Sequence, residues 1–276
     1  MSILKNMTVF LLFFCISSVL IGQKPTCGTK ITKAHKKYLE NHATLKTAGM
    51  QRLNKTISIT THVAVNSMGE TSYTDALIDS AIVELNESFS PIALSFQVCK
   101  RNYMENYNYY NCTAIDEMVI MNYQPNTINL YLVNSAEDID GGEMDGYTYL
   151  PTDEEGDDVI VVSTVEAIPH QMGHYLGLYD THETEFGIEF VNASNCAETG
   201  DLICDTDADP YEENIPMDTQ DPCNILENLL DPNGEFYVPP TNNMMSLYPY
   251  DCRCIFTNEQ YNKMATTYLE FREYLW

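Results

Sequence analysis

The chain has 276 residues, 44% of them hydrophobic and 11% aromatic, which is enough to bury a sizeable core and argues against intrinsic disorder. Forty acidic side chains against 14 basic ones leave a formal charge of −26, which argues against nucleic acid and against adsorption to an anionic membrane. A soluble, acidic, folded protein is the class that remains.

Residues 1–22 read as a secretory signal: Lys5 supplies the positive start, Met7 to Ile21 is almost wholly apolar, and Gly22-Gln23 is a plausible cleavage point. The apolar run is short for a bilayer span, so a secreted protein with no membrane attachment after cleavage is expected. Residues 23–55 then form a basic pro-segment or N-terminal extension. Residues 1–55 together hold nine of the 14 basic groups and one acid, Glu40; the rest of the chain holds 39 acids against five basics. That asymmetry fits either a solvated acidic surface or an acidic body on which the leader lies.

A short amphipathic helix is expected over 31–47. Ile57 to Val65 alternates and is β-branched, so it reads as a strand, and Thr74-Asp75 opens a helix through Phe89. Ile92–Val98 and Thr127–Val133 are strands, the second apolar enough to be central, followed by a Gly141-Gly142 turn and a buried strand at Val159–Val162. A helix follows at about 165–178, and Asn258–Leu275 is the last one. This order suggests a twisted sheet backed by helices.

Once the signal is removed, Cys27, Cys99, Cys112, Cys196, Cys204, Cys223, Cys252 and Cys254 remain. An even number in an oxidising compartment predicts up to four disulfides. Cys99 and Cys112 are expected to close a local loop over the Tyr-rich stretch Asn102–Asn111. The last five lie in a loop-rich region where disulfides replace a core.

The segment Pro169 to Asp180, PHQMGHYLGLYD, carries the chemistry. On a helix His170 and His174 project from one face and can share a metal. Gly177 can take positive φ and end the helix, bringing residue 180 back to the same ion. The spacing is that of HExxHxxGxxH.

This segment resembles the pappalysin-type metzincins, particularly their small secreted bacterial members. NLYLVNS, HQMGHYLGLYDTHET, SNCAETGDLICDTDADP, PPTNNMMSLYP and CRCIFTNEQYNKM follow one another in family order over nearly all of 56–276. The resemblance implies an α+β, metzincin-like fold: a twisted mixed sheet backed by helices to about 177, and a loop-rich, disulfide-containing subdomain over 178–276, with the cleft between. It implies zinc on His170, His174 and Asp180, a Met-turn at Met245, protein or peptide substrates, and calcium near Asp201, Asp205 and Thr206. In the family, pro-segments place a cysteine on the zinc. Cys27 offers that alternative, although a disulfide is its expected fate here.

The chain departs from the family where the reaction happens. Gln171 replaces the general-base Glu, and a neutral amide can orient water but not deprotonate it; losing such a base costs roughly 10²–10⁴ in rate. Asp180 replaces the third His, which leaves the metal less positive and its water less acidic. Leu247 stands where many metzincins have a Tyr, making Tyr248 the candidate oxyanion stabiliser. Glu166 as a substitute base and His182 as a substitute ligand are the rescues to test. Two His and one carboxylate also form the triad of non-haem iron oxygenases, on different folds. His35, His42 and His62 read as structural or surface histidines. The expected function is a secreted zinc metallopeptidase domain, strongly impaired at Gln171 and Asp180; the alternative is a pseudoprotease that binds zinc or peptide without cutting.

Overall fold

The computed structural model describes residues 26–42, 51–112, 115–137, 142–152, 158–211 and 215–275. The expected signal and Gly141, like the end of the 31–47 helix, lie outside the described residues. The elements run α1 (Lys33–His42), β1 (Lys55–Val65), α2 (Asp75–Phe89), β2 (Leu94–Glu105), α3 (Tyr107–Tyr110), α4 (Ile115–Asn122), β3 (Ile128–Leu132), β4 (Ala136–Glu137), β5 (Glu143–Met144), β6 (Gly146–Thr148), β7 (Val159–Val162), α5 (Ile168–Tyr175) and α6 (Asn258–Thr267).

Five strands form one sheet in the order β2-β1-β3-β7-β6. The first four are parallel, and β6 runs antiparallel to β7 at the edge. Every residue of β3 and β7 is buried, the usual state of parallel strands covered on both faces, and this is why both read as unbroken apolar runs. On one face Ile57, Ile59, Leu130, Leu132 and Ile160 pack against Ile78, Leu85 and Phe89 of α2 and against α5 and α6. On the other face Tyr131, Val133, Val159 and Val161 pack against Tyr109 of α3 and Met118 of α4.

Local chemistry sets the helix starts. The Thr74 hydroxyl accepts from Leu77 N and opens α2, while Thr257 and Gln260 form a reciprocal capping box on α6. The fold matches the expected α+β arrangement of a mixed sheet backed by helices, with several local differences. Ser90–Ile92 is a 3₁₀ turn containing Pro91, so β2 starts later than expected and then runs on to Glu105, into the start of the Tyr-rich stretch, whose remainder forms the short helix α3. The last helix gives way at Tyr268–Arg272 to a wider π turn that brings Arg272 inward.

Only two of the expected disulfides form among the described residues: Cys196–Cys204 and Cys223–Cys252. Cys27, Cys99, Cys112 and Cys254 are free. The Cys99–Cys112 bridge is corrected by where the two residues fall. Cys99 is exposed on the edge strand with Sγ 3.3 Å from Ile59 O, whereas Cys112 is buried in the second core with Met104, Met118 and Tyr131. Burial pushes the Cys112 thiol up to about 12.

One buried polar centre ties the C-terminus to the sheet. Asp158 accepts from Arg272 Nη1 at 3.1 Å, from the Tyr274 hydroxyl at 2.6 Å and from the Tyr123 hydroxyl at 3.0 Å, with the Tyr175 hydroxyl as a fourth donor. Both members of the Asp158–Arg272 pair are about 3% exposed at the side chain. Asp158→Ala strands a buried guanidinium and is expected to destabilise the fold by about 3–5 kcal/mol in urea denaturation. A loss below about 1 kcal/mol would mean that the C-terminus is not anchored there.

Candidate metal centre

Pro169 sits in the first turn of α5, where its missing N–H leaves no hydrogen bond unmade, so it starts the helix and does not disturb it. His170 and His174 therefore share a face, with Nε2 atoms 3.0 Å apart. Gly177 takes φ +88°, and Leu178 N donates back to Gly173 O, which reverses the chain after the helix. The reversal brings Asp180 Oδ1 to 3.2 Å from His170 Nε2 and 3.4 Å from His174 Nε2. A fourth donor arrives from the other end of the chain: Cys27 Sγ lies 3.3 Å from His174 Nε2. The four ligand atoms all lie within 4.8 Å of one another, and they make up the one such group of His, Cys, Asp and Glu among the described residues.

The donor set fits a zinc ion. His170 Nδ1 is 2.9 Å from Met244 O and His174 Nδ1 is 2.9 Å from Leu178 O. A carbonyl only accepts, so both Nδ1 atoms carry the hydrogen and both Nε2 lone pairs point at each other. Asp180 Oδ1 is buried with no hydrogen-bond partner. Lone pairs and a carboxylate oxygen gathered this closely require positive charge between them. Four of the six spacings, 3.0–3.4 Å, also approximate the edge of a tetrahedron, about 3.3 Å for ligands ~2.05 Å from zinc.

Without a metal, protons must supply that charge. Burial opposes protonation of His174, but Cys27 and Asp180 outweigh it and hold His174 well above the usual imidazole range; His170 is raised in the same way. Burial acts to raise Asp180, yet the two rings bring it well below the carboxylate range. Burial and Asp180 likewise act to raise Cys27, and the imidazoles bring it down to about 5. The four groups thus favour charged forms that neutralise one another.

Beneath the helix, Met245 is fully buried and Thr181 N donates to Met245 O, which ties the turn to the residue after Asp180. Asn243 fixes the turn by accepting from Met245 N at 2.8 Å and exchanging amide bonds with Gln260. Arg253, which sequence reasoning missed, lies buried behind His170, donates to Ser246 O and stacks on Tyr250.

Gln171 is buried beside the cluster, with Nε2 donating to Cys27 Sγ at 3.3 Å and Oε1 accepting from Thr29 Oγ1 at 3.0 Å. Thr29 was also missed, since no local pattern marks it. Other candidates lie elsewhere. The Tyr248 hydroxyl is committed to Asp209 Oδ1 at 2.8 Å. Glu166 is exposed and bonded to the Thr164 hydroxyl, and the His182 ring packs on Tyr211 outside the cluster. Thr206 donates to both Asp201 oxygens, and Asp205 accepts from Glu259 N. Both Asp201 oxygens and one Asp205 oxygen accept bonds within the protein, and nothing else supports calcium there.

At the level of sequence the chain matches no family model and no curated protein. Its fold is similar to that of a mutant form of Tannerella forsythia promirolysin, with a TM-score of 0.59 and 18% identity over 88% of this chain and 93% of that one. Metalloproteinase-II from Bacteroides fragilis overlaps far more loosely, with a TM-score of 0.31 and 12% identity over 57% of this chain and 49% of that one. The expected mixed sheet backed by helices is therefore observed, in a fold shared with promirolysin.

Burial, together with Asp201 and Asp207, raises Glu189 to about 8. A carboxyl raised on folding is held neutral in the folded chain and ionised in the unfolded one. Stability therefore falls as pH climbs from the ordinary Glu range to about 8. In calcium-free buffer, Glu189→Gln is expected to raise the melting temperature by a few degrees at about pH 8.5 and to leave it unchanged near pH 4.5. Equal shifts at both pH values would contradict this origin.

Proposed function

We propose that the chain is a secreted, pappalysin-type zinc metallopeptidase-like domain in a closed and catalytically impaired state. The observation that carries this is the meeting of four metal-ligating atoms from His170, His174, Asp180 and Cys27, with both Nε2 lone pairs bare. The fold likeness to promirolysin supports it, and the two disulfides fit an oxidising compartment.

His170, His174 and Asp180 would hold the ion, and Cys27 would fill its fourth position. When bound, zinc supplies Lewis acidity toward a peptide carbonyl and acidifies water. The remaining requirements fall on this chain's residues. A peptide substrate needs an extended backbone partner beside the metal, and β6 is the sheet edge next to α5. Thr26 O and Gly146 O already bind across that edge, accepting from Asp145 N at 3.0 Å and Gly28 N at 2.9 Å respectively, so the leading segment occupies the place a substrate strand needs. His35 and Lys36 secure the helix that follows: His35 bridges Pro151 O and the Tyr179 hydroxyl, and Lys36 pairs with Glu185.

A proton acceptor is the second requirement, and Gln171 has none to offer. With Tyr248 committed to Asp209 and Glu166 exposed away from the cluster, no other group in the described site takes that role. Peptide cleavage is thus weak or absent, and the alternative of a pseudoprotease that keeps its metal for stability or binding follows from the same residues.

Metal analysis of the purified chain should find about one zinc per molecule, lost in His174→Ala. Native protein should leave an unfolded polypeptide substrate intact. The double variant Gln171→Glu with Cys27→Ser, which restores a base and frees a coordination position, should cut it. Absence of zinc from the native chain, or cleavage by native protein as fast as by the double variant, would contradict the proposal.

A further inference from the structure

Resting on the zinc-site reading above, we infer that Gln171 is a positioning residue: its side-chain amide pins residues 27–29 across the metal site and makes them a built-in strap. The same residue that deprives the site of a base fastens the segment that closes it.

The hydrogen bonds have one consistent direction. Thr148 N donates to Thr29 Oγ1 at 3.0 Å, which leaves the Thr29 hydroxyl proton for Gln171 Oε1, also at 3.0 Å. With Oε1 accepting, the amide nitrogen is the atom that faces Cys27 Sγ at 3.3 Å. Thr29 N approaches the same sulfur at 3.4 Å. The sulfur thus receives two N–H donors, the environment a metal-bound thiolate uses, and the chain of bonds is anchored at its far end to β6.

An amide is suited to this position as a carboxylate is not. Glutamine offers a donor and an acceptor from one planar group, whereas ionised glutamate offers acceptors alone. A Glu at 171 could still take the Thr29 proton, but its second oxygen would face the thiolate and repel it. Glutamate therefore suits an open site, and glutamine suits the closed one. Gln171 is 1% exposed, so water does not soften that preference.

Backbone shape makes the close approach available. A Cβ added at Gly28 would lie 2.1 Å from Met144 Sδ and 3.2 Å from Tyr147 Cβ. Glycine lets the strap lie flush on the sheet edge, which sets Cys27 and Thr29 on either side of it within reach of the same amide. A site filled by four protein ligands has the closed form of a structural zinc site, whereas a catalytic one keeps a position open.

The test is alkylation by iodoacetamide of the folded, zinc-loaded full chain, read at each cysteine by peptide mass mapping. The exposed Cys99 serves as an internal reference. In native protein Cys27 should react far more slowly than Cys99. Gln171→Glu and Thr29→Val should each speed the reaction at Cys27 by roughly tenfold or more, the effect of losing a hydrogen bond to a charged group, with Cys99 unchanged. Thr29→Val keeps residue 171 intact, so the strap stays testable even if Gln171→Glu misfolds. Zinc content on the same samples separates the two ideas. Native protein without zinc overturns the metal-site reading and the strap with it. Zinc present with Cys27 reacting at the native rate in both variants overturns the strap alone.

Discussion

Two imidazole nitrogens 3.0 Å apart, both with bare lone pairs, are the constraint around which this molecule is organised. Such a contact is repulsive unless positive charge sits against it. The protein nevertheless builds it with care: carbonyls of Met244 and Leu178 fix both tautomers, and the turn at Met245 is pinned by Asn243 and Gln260. Asp180 and Cys27 then add two groups that are anionic when bound to a metal. Neutral residues would serve a merely structural core better than this set, because buried charges without a partner are strongly unfavourable. The sheet, α5 and the turn beneath it make sense as the support for an ion.

What separates this cluster from an open catalytic centre is the origin of its fourth candidate ligand. Three donors come from eleven consecutive positions on α5 and its reversal, and Cys27 comes from 147 residues before His174. That segment reaches the site by lying along the outer side of β6, the one antiparallel strand of the sheet. The edge of the sheet, which is otherwise open to pairing by any extended chain, is covered by the protein's own leader. Bringing Cys27 to the cluster and covering the edge are one structural event.

Much of the scaffold was legible because its signals are local and strong. β7 lies where four consecutive β-branched residues place it, α2 begins at its Thr74 cap, and β3 is central as its unbroken apolar run implies. His170, His174 and Asp180 were legible for the same reason, since helical spacing and one glycine determine where they meet. Cys27 was harder: a zinc-bound thiolate was open to it, but a disulfide was the expected outcome, and no sequence pattern encodes a contact across so long a separation. Cys99 and Cys112 misled because a short interval suggests a loop, while one residue lies on an edge strand and the other in a core. Tyr248 has nearly the right offset from Met245, yet Asp209 holds its hydroxyl. β6, three residues long, is too short for alternation to announce it.

The most direct test of this account is the X-ray absorption spectrum of the zinc-loaded full chain at the metal edge. The account predicts four ligands with one sulfur at about 2.3 Å and nitrogen or oxygen at about 2.0–2.1 Å, the sulfur lost when Cys27 is replaced by serine. A spectrum fitted by nitrogen and oxygen alone in the native protein would contradict it, because the leading segment would then lie off the metal.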